Sequence, residues 1–139
     1  MRYKFLPHTA DVKINAYGKT IEGAFVNSAL ALRSAIAGEA KTKSSIKKVV
    51  KANAKDLDGL LYRFIEEFLY LFDAKDFILT KITKLKIAHD KNGFSLHAAA
   101  EGDKASNHRF HNDVKAITYN DMFVKKTTHN FIIQFVLDV

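Results

Sequence analysis

The chain closes on FIIQFVLDV, in which Phe131, Ile133, Phe135 and Leu137 alternate with Ile132, Gln134, Val136 and Asp138. Alternation with a period of two is the pattern of a strand, and a chain end this apolar is ordered when it is tied into a sheet. A second alternating segment lies near the start. There Val12, Ile14 and Ala16 point one way while Asp11, Lys13, Asn15 and Tyr17 point the other. With the two strands as neighbours, the carboxylates of Asp11, Asp138 and the terminal Val139 would converge at one end of the sheet.

Between these ends the pattern changes period twice. Gly18 turns the chain, Thr20 is placed to cap a helix, and Ile21, Ala24, Phe25, Ala29, Leu32 and Ile36 follow helical spacing as far as Gly38. Residues 45–54 alternate weakly and are rich in lysine, which suits a solvent-facing or edge strand better than a buried one. Asp56 then caps a second helix whose stripe of Leu57, Leu60, Leu61, Phe64, Phe68 and Leu71 predicts the more buried of the two. A strand over 77–89, the turn Asp90-Lys91-Asn92-Gly93, and a strand over 94–100 form a hairpin. Residues 101–112 read as a polar loop, 114–124 as a strand, 125–130 as a turn and 131–137 as the last strand. The order predicts an α+β fold: one domain over residues 1–139, two helices packed on one face of a mixed β-sheet, and the N- and C-terminal strands adjacent.

The chain has 139 residues, 47% of them hydrophobic, enough for one buried core. No run approaches the roughly 18 apolar residues that span a bilayer, and no secretory signal opens the chain, so a cytoplasmic protein is expected. Cysteine is absent, which excludes disulfides, thiolate zinc sites and thiol nucleophiles. With 22 basic against 15 acidic residues the net charge is +7, which favours an anionic partner such as RNA or an RNA-bound protein. The densest cluster, Lys41, Lys43, Lys47, Lys48 and Lys51, has no interleaved aromatics to stack on bases and matches no RNA-binding module.

Carboxylates without sulfur are hard oxygen ligands, so a site of Asp11, Asp138 and the Val139 terminus would suit Ca²⁺ or Mg²⁺. The alternation alone leaves another reading open, in which Asp11 caps a turn after His8 and Thr9 and Asp138 is a solvated end. The segment His8-Thr9-Ala10-Asp11 gathers an imidazole, a hydroxyl and a carboxylate, but no nucleophile elbow accompanies it, which argues against a hydrolytic triad. His108 and His111 have a spacing that ligates metal on a helix, yet they fall in the polar loop and read as surface histidines. No phosphate-binding glycine loop is present. Lys115, in VKAITYN, could set a cation beside the carboxylates or on a partner's phosphate, and it also fits an ordinary strand lysine.

Four segments carry a family resemblance: HTADVKINAYG at 8–18, DLDGLLYRFIEEFLYLF at 56–72, DVKAITYNDMFV at 113–124 and the terminal VLDV. Together they closely resemble the archease family over nearly the whole chain. The resemblance implies a protein without catalytic residues of its own that acts on the RtcB-type tRNA-splicing RNA ligase. Archeases promote guanylylation of that ligase by GTP and sustain its multiple turnover, so GTP and tRNA are met through the partner and no membrane is involved. It further implies a divalent metal, Ca²⁺ first and Mg²⁺ or Mn²⁺ as alternatives, held by Asp11, Asp138 and Val139. His8 and Lys115 are the candidate contacts to the partner or to phosphate. Two positions depart from the family pattern: many relatives read TYH where this chain has Thr118-Tyr119-Asn120, and many carry a tryptophan before the last strand where this chain has none. The competing reading is a basic RNA- or protein-binding adaptor without a functional metal site.

Overall fold

Two side-chain caps start the helices where the sequence places them. In the computed structural model, which describes residues 1–6, 11–110 and 113–139, Thr20 Oγ1 accepts from the Gly23 N–H at 3.0 Å and Asp56 Oδ1 from the Gly59 N–H at 2.7 Å. Helix α1 (Ile21–Ala37) ends at Gly38, whose positive φ of 58° suits glycine. Helix α2 (Leu57–Lys75) ends at Asp76 in the left-handed region. The strands are β1 (Tyr3–Leu6), β2 (Asp11–Gly18), β3 (Ile46–Ala54), β4 (Phe77–Asp90), β5 (Gly93–Lys104), β6 (Ala116–Lys126) and β7 (Phe131–Asp138), with a 3₁₀ turn at Ala105–Asn107.

The strands form two sheets, ordered β1-β2-β7-β6 and β3-β5-β4, and all of their pairings are antiparallel. β7 is an interior strand with β2 on one side and β6 on the other, which accounts for its apolar character. Helix α1 packs on β2 and β7 of one sheet and on β4 of the other, while α2 packs on β6 and on β3, β4 and β5. A continuous apolar cluster, with Ile14, Phe25, Phe64, Phe77 and Phe135 among its members, joins the helices to both sheets.

The α+β class, the two helices and the adjacency of the terminal segments agree with the sequence reading. The division into two antiparallel sheets replaces the single mixed sheet expected, because strand order along the chain does not say which strands pair. β3, lying between the helices in sequence, joins the β4–β5 hairpin as an edge strand instead of extending the terminal sheet. The relative burial of the helices is also reversed. Helix α1 buries eight of its 17 residues and α2 seven of 19, since Ala24, Ala29, Ala31 and Ala35 let α1 approach both sheets closely. A short edge strand, β1, was not foreseen, and β5 continues to Lys104 through the first four positions of the expected loop.

Gly102 marks a tight approach inside the β4–β5 ladder. A Cβ at this position would lie 2.1 Å from the Ile78 carbonyl oxygen and 2.7 Å from the Phe77 ring, contacts that only a backbone shift relieves. Gly102→Ala is therefore expected to lower unfolding stability by about 1–3 kcal/mol. Urea denaturation checks this, and a midpoint equal to the parent's would refute the close-approach account.

Candidate functional site

Asp11 opens β2 and Asp138 closes β7, and the two are direct cross-strand partners. Opposed residues of an antiparallel pair share a face of the sheet. The neighbouring pairs Val12 with Leu137, Ile14 with Phe135 and Ala16 with Ile133 face the helices, so both carboxylates stand on the opposite face. Val139 follows directly and is partly exposed. On the far side of β7, Ala116 pairs with Asp138, and the Lys115 N–H donates to the Asp138 carbonyl at 2.8 Å. The structure thus brings Asp11, Asp138, Val139 and the Lys115 backbone to one end of one sheet. His8 lies outside the described residues.

Like charges directly opposed across a ladder repel. Lys13 stands on the same face, and its Nζ lies 3.0 Å from Asp121 Oδ2. Among the described residues no lysine, arginine or histidine side chain forms an ion pair with Asp138. Nor do three Asp, Glu or His side chains gather into a metal-binding group among them. What the sheet end offers is two side-chain carboxylates with Val139 next in the chain, all hard oxygens. Its chemistry fits a Ca²⁺ or Mg²⁺ ion whose remaining positions go to carbonyls and water.

The VKAITYN segment holds a second feature. β6 pairs Thr118 with Val136 and resumes with Phe123 against Gln134, so residues 119–122 stand opposite Phe135 alone. This wide bulge is closed by Asp121, a non-glycine residue at φ 57°, whose carboxylate holds Lys13 and whose carbonyl accepts from Gln134 Nε2 at 2.8 Å. The bulge turns Tyr119 onto Tyr62 of α2, with ring centroids 4.2 Å apart and planes within 3°. Strand spacing alone predicts a continuous strand over 114–124, and Asn120-Asp121, two turn-forming residues, is the signal against it.

A polar hub lies at one end of the second sheet, with no motif in the sequence to signal it. Asp103, buried at the end of β5, accepts from His108 Nε2 at 2.8 Å, from the Lys43 N–H at 3.1 Å, from the Lys104 N–H at 2.8 Å and from Asn107 Nδ2 at 3.3 Å. Close by, Asp76 accepts from the Ser106 N–H at 2.7 Å and from Ser106 Oγ at 2.6 Å. His108 is therefore half-buried and engaged by a carboxylate, where the sequence suggested a surface histidine. Its companion His111 lies outside the described residues.

The model of the Archease protein family matches residues 3–139. The chain belongs to the archease family. Two relatives named Protein archease are similar over its length. That of Methanosarcina mazei is 34% identical, the match covering 99% of this chain and 96% of the relative. That of Pyrobaculum neutrophilum is 38% identical, covering 99% and 95%. Among solved structures, the solution structure of Methanobacterium thermoautotrophicum protein 1598 superposes with a TM-score of 0.86 at 27% identity, covering 99% of both chains. The crystal structure of an archease, described as a possible chaperone, from Thermotoga maritima has a TM-score of 0.64 at 15% identity, covering 98% of this chain and 96% of that one. The last comparison bears on the fold alone.

Hydrogen bonds, first from His108 and then from the Lys43 N–H, hold the Asp103 carboxyl well below the usual carboxylate range. A depressed folded-state value means that the stability it contributes is complete above the ordinary value of 3.8 and is lost as pH falls through the folded value. Asp103→Asn is expected to be less stable than the parent at about pH 6, with the gap narrowing between about pH 4 and pH 2. Urea unfolding across that range is the check; a gap of constant size would show that the carboxylate's charge is not what the hub uses.

Proposed function

We propose that this chain is a non-catalytic activator of an RtcB-type tRNA-splicing RNA ligase, promoting the ligase's guanylylation by GTP and its repeated turnover in the cytoplasm. The observation that carries the proposal is the direct opposition of Asp11 and Asp138 across β2 and β7 in a chain of the archease family. Two carboxylates opposed at a sheet end repel each other, and a cation between them would offset that repulsion. Asp11, Asp138 and the Val139 carboxylate would hold a divalent ion, Ca²⁺ in preference to Mg²⁺ or Mn²⁺, because a loosely built oxygen set suits its flexible coordination. Such an ion supplies positive charge and orientation where phosphates react. The chain's own residues would position that charge at the mouth of the partner, with Lys115 beside Asp138 and His8 in the segment leading to Asp11 as contacts to partner or phosphate. No helix among the described residues is long and apolar enough to cross a membrane.

The competing adaptor reading, in which basic residues recruit RNA or protein and the carboxylates are incidental, rests on the +7 charge. Chelator and salt separate the two, because phosphate neutralisation weakens steeply with ionic strength while metal dependence persists at constant salt.

Asp11→Ala and Asp138→Ala are each expected to lower ligase guanylylation by about tenfold or more, the scale on which metal sites lose function. In the absence of ligase, Ca²⁺ should raise the melting temperature of the parent and leave both variants unmoved. Folded variants that stimulate the ligase as well as the parent would sink the metal-centred proposal.

A further inference from the structure

The sheet β3-β5-β4 turns one face to the helices and the other to solvent. Inward lie Val50 and Ala52 of β3, Leu96, Ala98 and Ala100 of β5, and Ile82, Leu85 and Ile87 of β4. The outward residues align in three rungs across the strands: Lys47, Glu101 and Lys81; Val49, Ala99 and Lys84; Lys51, His97 and Lys86. All five lysines are exposed. Lysines three apart in a regular strand would point to opposite faces, but a register shift between Ile82 and Lys84 puts Lys81 and Lys84 on the same one. The single acid of the nine is Glu101, 3.7 Å from Lys81 Nζ. In the middle row Ala99 stands low between Glu101 and His97, and shallow clefts of about 430 Å³ and 310 Å³ open on this face.

We propose that this face binds the phosphodiester backbone of a nucleic acid, without reading its bases. The charge calls for a polyanion, and the side-chain types separate the two main kinds. Protein interfaces are enriched in Tyr, Trp and Arg and depleted in Lys, whereas here every cationic side chain is lysine, and no Tyr, Trp, Phe or Arg stands among the nine. The same lack of aromatics leaves no platform on which bases stack. What remains is two lysine rows about 10 Å apart, from two strand spacings, with rungs about 7 Å apart along the strands. A sugar-phosphate strand laid along β5 meets lysines on both sides, with Ala99 and His97 beneath it and Glu101, beside Lys81, at one end. The surface lies on the other sheet from Asp11 and Asp138, so it stands or falls independently of the metal proposal.

The test is fluorescence anisotropy of the full chain with labelled RNA and DNA hairpins of equal length, titrated with salt and without ligase. Expected are affinities for the two hairpins within about threefold of each other, and a log–log salt slope of magnitude about 3 to 4.5, from up to five phosphate contacts. The variant Lys81→Gln, Lys84→Gln, Lys86→Gln should weaken binding about tenfold or more and reduce the slope by about 2 to 3. The arginine triple Lys81→Arg, Lys84→Arg, Lys86→Arg should restore it. Lys4→Gln, Lys19→Gln, Lys126→Gln removes the same charge away from this face and should leave the slope unchanged. An equal loss in that control variant would overturn the proposal. So would displacement of RNA by poly-glutamate at equal charge concentration, which would assign the face to an acidic protein instead.

Discussion

The pairing of β2 with β7 is the constraint on which the rest of the molecule depends. Its register, running from Asp11 with Asp138 to Gly18 with Phe131, unites the two ends of the described chain and builds the floor on which α1 packs. Because strand side chains alternate, a slip of one residue would expose Phe135 and Leu137 and carry Asp138 toward the helices. Burial of Ile14, Ala16, Ile133, Phe135 and Leu137 therefore holds the register. The same register obliges the two terminal aspartates to face each other. Hydrophobic burial thus provides the energy that keeps two like charges in opposition.

Polar anchoring completes what the apolar cluster begins. The connection between α1 and β3 has no regular structure, yet its ends are fixed by specific partners. Arg33 donates to Thr42 Oγ1 at 3.2 Å, Thr80 Oγ1 donates to the Lys43 carbonyl at 2.7 Å, and Asp103 receives the Lys43 N–H. These bonds tie the connection to α1, β4 and β5, and Asp76 ties the C-terminus of α2 to the turn after β5. A buried carboxylate with this many donors is well satisfied, which is the condition under which burying it is tolerable.

Legibility followed the range of the interactions. Thr20, Asp56 and Gly38 announced the helix ends because capping is settled within four residues. The apolar stripes of α1 and α2 and the alternation of β2 and β7 named most of the core for the same reason, but not Ile65, Leu69 or Val136. The lysine-rich β3 was recognisable as an edge strand. The sheet division, the bulge around Asp121 and the partnership of Asp103 with His108 and Lys43 were not legible, since each depends on which distant segment lies alongside. Of the candidate site, Asp11, Asp138 and Val139 were named from residue type and position, and family resemblance supplied the expectation of a metal.

By itself the sequence determined the period of each segment, the caps, the supply of hard oxygen ligands and excess lysine, and the absence of sulfur chemistry. Tertiary structure alone decided that Asp11 stands opposite Asp138, that Asp121 takes Lys13 across β7, and that five lysines scattered over forty positions from 47 to 86 share one face. The physical reason is that side-chain direction is a local property of the backbone, whereas register and bulges are fixed only when strands far apart in the chain compete to bury the same core.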